Sequence, residues 1–468
     1  MLNPDPLQIA RGCIQAPAGC GKTHLIAESL KRCGDAKPIL VLTHTNAAVA
    51  ALRQRLDKSE VPRSNYRLAT IDGWAMRMVG MFPMRSGADP SILELKSPGN
   101  DYPAIKNAAL HLLLGKHIDN LLAANYSRLL VDEYQDCLLA QHSIVCELAR
   151  VLPTCIFGDV LQGIFDFGDA PVDWNAEVLR DFPLVAELST PWRWDQAGAG
   201  ALGQWLLSIR PILLSGGQID LASAPPELEW VQISGDQDFE RILASTHSMP
   251  KGIESSLIIC SSRNRQRQQK IAQFTKGASV VENADLTDLV SFARRFDFSS
   301  DAATSELLRE AASVLRGLNV TDIISRLASL KAGTNRKQAT EIENSALAFD
   351  SDRTPKKAAV LLSALSNQPG VSAFRGEVFR NLLKALHFSE SVDEFAGMVL
   401  RAREERRFYS RALGKRSVGS TLLVKGLEAD QAVLVDTNEM NAKNLYVALT
   451  RGAKRVVVCS TSQFLPSA

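Results

Sequence analysis

The sequence predicts an α/β protein with two parallel-sheet domains, the first carrying a small helical insertion and the second a larger one. Three observations indicate this fold class. Short aliphatic runs alternate with helical patterns over the first 190 residues, the alternation returns at 255–262 and after 419, and 282–413 is almost entirely helical in pattern. Strands that alternate with helices form parallel sheets through right-handed crossovers.

The first domain is predicted to span residues 1–194 and to contain four strands buried on both faces. They are CIQA (13–16), PILVLTH (38–44), SRLLVDE (127–133) and TCIFGD (154–159). The helical patterns THLIAESLKRC and NAAVAALRQRL follow the first two strands, as a parallel sheet requires. Residues 75–125 interrupt the alternation with turn-rich and helical stretches, so we expect a small inserted subdomain there.

The second domain is predicted to be assembled from two separate segments, 195–281 and 414–468. Its strands are SSLIICSS (255–262), GSTLLV (419–424), QAVLVDT (431–437) and KRVVVCS (454–460). Residues 282–413 lie between them and carry apolar residues at helical spacing. We therefore expect a helical insertion subdomain that divides the second α/β domain.

The composition is that of a multidomain globular protein. A chain of 468 residues, with 46% hydrophobic and 22% charged residues, is too long for one hydrophobic core. No apolar stretch approaches the roughly 20 residues that span a bilayer, and the first residues lack the pattern of a secretory signal. The net charge of +2 means that a surface for nucleic acid would have to be local.

The eight cysteines are scattered singly along the chain, and none forms a CxxC pair. This pattern argues against a zinc site and against a disulfide framework. It predicts reduced thiols and a cytoplasmic protein.

The stretch APAGCGKT (16–23) follows a predicted strand and opens a predicted helix. Gly19 and Gly21 allow the backbone to turn its N–H groups towards an anion, and the helix adds its positive N-terminal end. Lys22 would reach the β- and γ-phosphates of a nucleotide, and the Thr23 hydroxyl would hold Mg²⁺. A glycine-rich turn with a solvated lysine is the alternative, although strand, loop and helix all occur in the order that a phosphate-binding loop requires.

The stretch LLVDEYQD (129–136) ends an apolar run with adjacent carboxylates. Such carboxylates raise each other's pKa, so they are favourable either in solvent or beside a cation. In a phosphate-binding sheet, Asp132 would hold Mg²⁺ and Glu133 would orient and deprotonate the attacking water. The alternative is a strand that simply reaches the surface.

Besides APAGCGKT and the acidic segment DEYQD, five further segments stand out. They are LTHTNAAVAALRQRL (42–56), GDVLQGIFDF (158–167), PWRW (191–194), VKGLEADQAVLV (424–435) and NLYVALTRGAKR (444–455). These seven segments occur in the order found in UvrD/Rep-type superfamily 1 DNA helicases, which the chain resembles. The resemblance implies two RecA-like domains that hydrolyse ATP with Mg²⁺.

The resemblance also assigns residues to the ATP site. Lys22, Glu133, Gln162, Arg193 and Arg451 would act in catalysis, with Gln162 sensing the γ-phosphate and both arginines approaching it between the two domains. Trp192 and His24 would sandwich adenine, Glu428 would contact the ribose, and Gly426 would allow close backbone approach. The remaining nucleotide-binding positions are Ala18, Gly19, Cys20, Gly21, Lys22 and Thr23, while Thr23 and Asp132 would bind the metal. Each arginine, taken alone, has the alternative of an exposed helix charge.

The DNA-binding positions implied by the resemblance are Thr43, Thr45, Asn46, Phe165 and Phe167. Stacking of a base on an aromatic ring contributes roughly 1–3 kcal/mol, so phenylalanine suits this position. The alternative is that both phenylalanines belong to a core. The expected partner is single-stranded or tailed DNA, and no membrane is expected.

Several positions depart from the family pattern. Leu422 and Leu423 replace polar residues that often meet DNA, and Asp72 stands where a DNA-facing histidine is common. The adenine-reading glutamine before the phosphate loop has no counterpart unless Gln8 or Gln15 replaces it. The first insertion, of about 50 residues, is also small for a processive family member. These departures affect strand separation more than ATP hydrolysis.

Two basic stretches, RAREERRFYSRALGKR (401–416) and SSRNRQRQQK (261–270), each allow two interpretations. They could follow a DNA backbone, or they could be solvated helix faces.

Two hypotheses for function follow. In the first, the protein is an ATP-dependent DNA translocase or helicase, and the resemblance implies 3′→5′ movement on single-stranded DNA. In the second, it is a helicase-like ATPase or nucleotide sensor that regulates a partner. Such compact proteins resemble the helicase subunit of Gabija-type antiphage systems, which works beside an OLD-type nuclease.

Overall fold

The computed structural model describes residues 4–34, 37–165, 171–235, 238–261, 264–283, 285–334, 337–406 and 413–467. Its strands are β1 (Arg11–Gln15), β2 (Ile39–Thr43), β3 (Tyr66–Thr70), β4 (Arg128–Val131), β5 (Thr154–Gly158), β6 (Leu184–Glu187), β7 (Ile219–Asp220), β8 (Leu228–Gln232), β9 (Ser256–Cys260), β10 (Ala278–Val280), β11 (Leu315–Arg316), β12 (Ser372–Ala373), β13 (Arg416–Ser420), β14 (Ala429–Leu434), β15 (Gly452–Ser460) and β16 (Phe464–Leu465).

The helices are α1 (Lys22–Lys31), α2 (Asn46–Lys58), α3 (Ile71–Met81), α4 (Pro83–Ser86), α5 (Pro98–Leu114), α6 (Asp119–Asn125), α7 (Leu139–Val151), α8 (Leu179–Asp181), α9 (Trp192–Ala197), α10 (Gly200–Ser208), α11 (Arg210–Leu214), α12 (Phe239–His247), α13 (Arg265–Phe274), α14 (Thr287–Arg295), α15 (Ala303–Val314), α16 (Val320–Lys331), α17 (Glu341–Ser351), α18 (Pro355–Ser366), α19 (Gly376–Phe388), α20 (Phe395–Arg406), α21 (Thr421–Val424) and α22 (Ala442–Leu449). Two short 3-10 turns also matter for the site, Tyr134–Asp136 and Val160–Gln162.

The first sheet has six strands in the order β3-β2-β4-β5-β1-β6, and all of its neighbouring strands are parallel. Alternate residues of its central strands enter two different cores, because successive side chains of a strand point to opposite faces. Leu40, Leu42 and Leu129 belong to one core, which also contains side chains of α3, α5 and α7. Val41 and Leu130 belong to the other core, with side chains of α1 and α2.

The second sheet has six strands in the order β10-β13-β9-β14-β15-β8. The pairs β10–β13, β13–β9 and β14–β9 are parallel. The predicted α/β fold class with two parallel sheets is therefore confirmed. Between β10 and β13 lie the helices α14 to α20, which share one apolar core, and the short antiparallel strand pair β11–β12.

The sequence predicted the four inner strands of each sheet and missed the strands at the edges. The missed strands are β3 and β6 in the first sheet and β10 and β8 in the second. Inner strands are buried on both faces and form continuous apolar runs, whereas edge strands carry polar and exposed residues. The four residues of β6, for example, are all exposed or partly exposed. One inner boundary was also wrong, because the predicted strand 419–424 ends at Ser420 and Thr421–Val424 is helical.

The chain divides into two compact units by its internal contacts. The first unit contains Met1–Trp230, Asn438–Val456 and Ser462–Ala468, and the second contains Val231–Thr437 and Val457–Thr461. Helices α9 to α11 and α22 thus belong to the same unit as the first sheet, because α11 packs on α22 and α22 packs on the turn Val160–Gln162. The predicted domain boundaries differ from these units at residues 195–230 and 438–456, which the sequence assigned to the second domain. Those boundaries stay a prediction.

All eight cysteines are free thiols, without disulfide bonds. In the described ranges, every helix is too short or too polar to span a bilayer.

Candidate functional site

The loop between β1 and α1 contains two glycines in the left-handed backbone region. Gly19 has φ +71° and Gly21 has φ +85°, and Gly21 is the N-cap of α1. A Cβ atom at Gly19 would lie 2.5 Å from Cζ3 of Trp194, and one at Gly21 would lie 3.1 Å from Cδ1 of Trp192. Glycine is therefore required at position 19 by both the backbone conformation and the space available.

Lys22, the first residue of α1, contacts both carboxylates that follow β4. Its Nζ lies 2.9 Å from Asp132 Oδ1 and also donates a hydrogen bond to Glu133 Oε1. Burial by itself would lower the pKa of Lys22, but the negative charges of Asp132 and Glu133 outweigh that effect and raise it. Burial raises the pKa of Asp132, Lys22 opposes this rise, and the neighbouring charge of Glu133 adds to it. Residues 110 positions apart in sequence are thus brought into one charged cluster.

Glu133 has a strained backbone and a side chain that is held on both sides. Its φ of +56° lies in the left-handed region, which is uncommon for a residue with a Cβ. Gln135 Nε2 donates to Glu133 Oε2 at 2.5 Å, and Gln135 Oε1 accepts from the backbone N of Asp159 at 3.0 Å. This role of Gln135 was not predicted from the sequence, although a glutamine inside an acidic motif can both donate to a carboxylate and accept from a backbone N–H.

Arg193 and Arg451 lie in the same compact unit as the glycine loop. Arg193 Nη1 donates to the carbonyl oxygen of Thr450 at 2.7 Å, and Trp194 Nε1 donates to that of Gly452 at 2.9 Å. Arg451 is buried, and its Nε donates to the carbonyl oxygen of Val447 at 2.8 Å. Since a Cβ at Gly19 would also lie 3.1 Å from Arg193 Cβ, Arg193 adjoins the loop and connects it to Thr450.

A buried ion pair that the sequence did not indicate is in contact with Gln162. Arg210 donates to both oxygens of Asp159, at 2.8 and 2.9 Å, and to Tyr446 Oη at 2.8 Å. Gln162 Nε2 donates to Asp159 Oδ2 at 2.8 Å. Asp159 and Arg210 therefore together connect the turn that carries Gln162, the helix α11 and the helix α22. Only the folded chain brings these three elements together.

The other predicted nucleotide-binding residues, in the loop and on α1 and α9, differ in exposure. Ala18 and Cys20 are buried, whereas His24 and Trp192 are exposed. Thr23 Oγ1 accepts a hydrogen bond from Arg55 Nη1 at 2.9 Å, a contact that the sequence did not predict. The hydroxyl of Thr23 and the carboxylate of Asp132 are oxygen ligands of the kind that Mg²⁺ prefers, so this donor set fits the predicted metal.

The predicted DNA-binding residues at the end of β2 lie in different environments. Thr43 is completely buried, which differs from the prediction that it contacts DNA, because no part of its side chain is exposed. Thr45 caps α2 by accepting from the backbone N of Ala48, and Asn46 is exposed. Phe165 is partly buried, and Phe167 lies outside the described residues.

A polar network joins this region to α7. The ring of His44 lies 5.7 Å from that of Phe165, between centroids, and His44 Nδ1 lies 3.1 Å from Gln141 Oε1. Gln141 Nε2 donates to Asp72 Oδ1 at 2.9 Å. Asp72, which departs from the family pattern, therefore contacts another residue of this chain.

Gly426 and Glu428 lie in the second unit, and both are exposed. Gly426 has φ +79°, and an added Cβ would meet no atom within 4 Å. A glycine is thus favoured here by the backbone conformation alone, rather than by the close approach of another part of the described chain.

Arginines in the two basic stretches pair with carboxylates. Arg265 contacts Asp288 and Glu282, and Arg267 Nε donates to Asp436 Oδ1 at 2.6 Å. Arg403 pairs with the adjacent Glu404. Residues 262–263 and 407–412 lie outside the described residues. For the arginines that are described, these pairs favour helix-face charges over contacts with a DNA backbone.

Comparisons with known proteins add a family match in the first unit. Residues 10–97 and 96–183 both match the family model of the UvrD/REP helicase N-terminal domain. A solved complex of the Arterivirus nonstructural protein 10 helicase with DNA is similar over 97% of this chain and 62% of that chain, with 9% sequence identity and a TM-score of 0.35. This chain therefore spans less than two thirds of that helicase. No curated protein matches the chain.

Proposed function

We propose that this protein is an ATP-dependent DNA translocase or helicase, since residues 10–97 and 96–183 match the family model of the UvrD/REP helicase N-terminal domain. The observation that carries the proposal is the contact of Lys22 with Asp132 and Glu133 beside a loop of two left-handed glycines. A lysine, two carboxylates and an anion-binding loop are the groups that phosphoryl transfer requires.

Nucleotide binding would begin at Lys22. Without nucleotide, the lysine charge is neutralised by two carboxylates. A triphosphate in the loop competes for that charge, and movement of Nζ towards phosphate releases Glu133 from its ion pair. Release of Glu133 makes its carboxylate available to water only when substrate is present.

Glu133 would then act as the general base. Gln135 holds one carboxylate oxygen, so the other is directed towards the water whose proton it accepts. Mg²⁺, when bound, offsets the charge of the phosphates, and Thr23 and Asp132 are the residues that would hold it. The Thr23 hydroxyl would exchange its contact with Arg55 for the metal.

Arg193 and Arg451 would stabilise the charge that develops on the transferred phosphoryl group, and Gln162 would sense it. The hydrogen bond from Arg193 to the carbonyl oxygen of Thr450 supports this proposal, because it holds the arginine beside the glycine loop. Exposed Trp192 and His24 suit the stacking of adenine.

DNA would contact the region at the end of β2. Asn46 is exposed, and the His44–Phe165 ring pair supplies aromatic surface for a base. The network from His44 through Gln141 to Asp72 fixes the position of these rings. We propose single-stranded DNA as the substrate and 3′→5′ as the direction, and a cytoplasmic location, which the eight free cysteines support.

Replacement of Glu133 by glutamine tests the proposal. We expect ATP turnover by the wild-type protein to rise with single-stranded DNA, and turnover by Glu133→Gln to fall by at least about 10²-fold because the base is lost. Binding of a fluorescent ATP analogue with Mg²⁺ should remain.

The matched control is Glu147→Gln on α7, whose carboxylate pairs with Arg150. It should keep both turnover and DNA stimulation. Turnover of the wild type that is unchanged by saturating DNA would contradict the motor proposal, and turnover of Glu133→Gln equal to that of the wild type would contradict the role of Glu133.

The nucleotide-sensor hypothesis predicts a stoichiometric nuclease partner in an antiphage complex. No contact within the described ranges favours it over the motor. Purification of the tagged protein from its native cells, followed by mass spectrometry, would distinguish the two, because a motor should be recovered alone and active.

A further inference from the structure

A second cluster of metal-binding side chains lies in the first unit and is not used by the proposed ATPase mechanism. His142 and Cys146 are one turn apart on α7 and therefore share a helix face. Asp181, the last residue of α8, faces both of them. The potential ligand atoms of these three residues lie within 4.8 Å of one another. The cysteine pattern of the sequence had argued against a zinc site.

The distances between the three ligand atoms agree with one face of a tetrahedron around zinc. His142 Nε2 lies 3.5 Å from Cys146 Sγ and 3.0 Å from Asp181 Oδ2, and Sγ lies 3.8 Å from Oδ2. A tetrahedral zinc ion with ordinary bond lengths requires about 3.5 Å between sulfur and nitrogen, about 3.3 Å between nitrogen and oxygen, and about 3.5 Å between sulfur and oxygen. The three observed distances need to change by about 0.3 Å at most to meet these values.

The second ring nitrogen of His142 already makes a hydrogen bond, as the second ring nitrogen of a metal-binding histidine usually does. His142 Nδ1 lies 2.7 Å from the hydroxyl of Tyr134, which is completely buried. This hydrogen bond holds the ring so that Nε2 points to the cysteine and the carboxylate, and with Nδ1–H as donor it leaves Nε2 free to bind a metal. The aromatic rings of Tyr134 and Phe182 pack against the imidazole at centroid distances of 5.9 and 6.2 Å.

We propose that His142 Nε2, Cys146 Sγ and Asp181 Oδ2 bind one Zn²⁺ ion, with water as the fourth ligand. Cys146 and Asp181 are partly exposed, so the ion and its water can enter from solvent. Without metal, Arg180 forms an ion pair with the Asp181 carboxylate, with Nη2 2.8 Å from Oδ2. Its side chain is 65% exposed, so it can turn away at little cost in free energy.

The alternative is a hydrogen-bonded cluster without metal affinity, in which His142 donates to Asp181 and the thiol merely lies beside them. The two interpretations differ in what they predict for the thiol. Zinc binds the thiolate, so metal binding must displace the thiol proton.

Titration of the tag-free, full-length protein with Zn²⁺ and with Co²⁺ tests the proposal. We expect one equivalent of Zn²⁺ to bind with release of a proton, and Co²⁺ to show a thiolate charge-transfer band. Cys146→Ser should lose the band and at least about 10²-fold in affinity, because outer-shell changes alone cost 10–100-fold. The matched control is Cys33→Ser, which removes a cysteine of similar exposure outside the cluster and should bind as the wild type does.

Arg180→Ala keeps the test decisive if Cys146→Ser fails to fold. Removal of the competing guanidinium should strengthen Zn²⁺ binding, whereas an adventitious site would not respond. The histidine pair His111 and His117, with ring centroids 6.3 Å apart, is an example of such a rival site. Stoichiometric binding without the thiolate band, binding that Cys146→Ser and Arg180→Ala both leave unchanged, or no binding at all would overturn the proposal.

Discussion

At the scale of single residues, the candidate site depends on how one carboxylate is held. Glu133 keeps a left-handed backbone conformation that costs about 1–2 kcal/mol for a residue with a Cβ. Such a conformation persists only where surrounding contacts determine it. Here those contacts are the ion pair with Lys22 and the hydrogen bond from Gln135. Gln135 in turn is fixed by the backbone of Asp159, so it should be a positioning residue for Glu133.

Gln135→Ala should therefore lower kcat for ATP by about 10²-fold, a typical effect of misplacing a reacting group. The KM for ATP should change little, since the glycine loop and Lys22 are untouched. Steady-state kinetics of the purified variant measure both quantities.

The exposed Gln204 on α10 provides the matched control, and Gln204→Ala should leave kcat unchanged. In a protein that already carries Glu133→Gln, removal of Gln135 should have no further effect on kcat. A second loss of similar size in that background would mean that Gln135 acts independently of Glu133.

At the scale of secondary-structure elements, local signals determine the start of many helices, including those of the helical insertion. Thr340 caps α17 by accepting from the backbone N of Glu343, and the Glu343 side chain accepts from the backbone N of Thr340 at 2.8 Å. Arg326 of α16 also pairs with Glu343. The capping box therefore fixes both the beginning of α17 and its contact with α16.

Thr340→Ala should destabilise α17 by about 1 kcal/mol, because a helix N-cap contributes about that amount. Hydrogen exchange measured by mass spectrometry should show faster exchange in peptides that cover 340–351. Tryptophan fluorescence would not report this change, since all six tryptophans lie within residues 74–230.

The matched control is Thr321→Ala. Thr321 is an exposed threonine near the start of α16, but Asn319 supplies the cap of that helix. This control should leave exchange in α16 unchanged or slightly slower, because alanine has the higher helix propensity. Equal effects of the two substitutions would show that the cap of α17 contributes no stability.

At the scale of the whole molecule, contacts between distant segments decide which residues belong to the first unit. Arg210 and Asp159 are 51 positions apart, and Arg210 and Tyr446 are 236 apart. The side chains of Arg210 and Asp159 are 5% and 1% exposed, so neither charge can be solvated if its partner is removed. Asp159 precedes the turn Val160–Gln162, and Arg210 also contacts Tyr446. The pair therefore joins this turn and α11 to the segment 438–456.

Arg210→Met should destabilise the first unit by about 3–5 kcal/mol, because it leaves the buried charge of Asp159 without its partner. Urea unfolding followed by tryptophan fluorescence reports on this unit, which contains all six tryptophans.

The double variant Asp159→Asn with Arg210→Met is the informative comparison. It removes both charges, so it should be less destabilised than the sum of the two single variants. Strict additivity would contradict a direct interaction between the two side chains.

The sequence by itself determined the α/β class, the inner strands and the contiguous motifs. A fully buried strand such as β2 or β5 must be a continuous apolar run, and a phosphate loop must present its glycines, lysine and threonine within eight residues, so both leave a local pattern. Because APAGCGKT and DEYQD are short contiguous segments, their resemblance to a helicase family could be seen in the sequence alone.

Only the tertiary structure decided the edge strands, the role of Gln135, the Arg210–Asp159–Tyr446 cluster and the convergence of His142, Cys146 and Asp181. Edge strands lack a continuous apolar run because one side of each strand has no neighbour in the sheet. Each of the other features includes a contact between residues 24 to 236 positions apart, at which no local spacing is constrained. Chain folding, and not residue spacing, places those side chains within hydrogen-bonding distance.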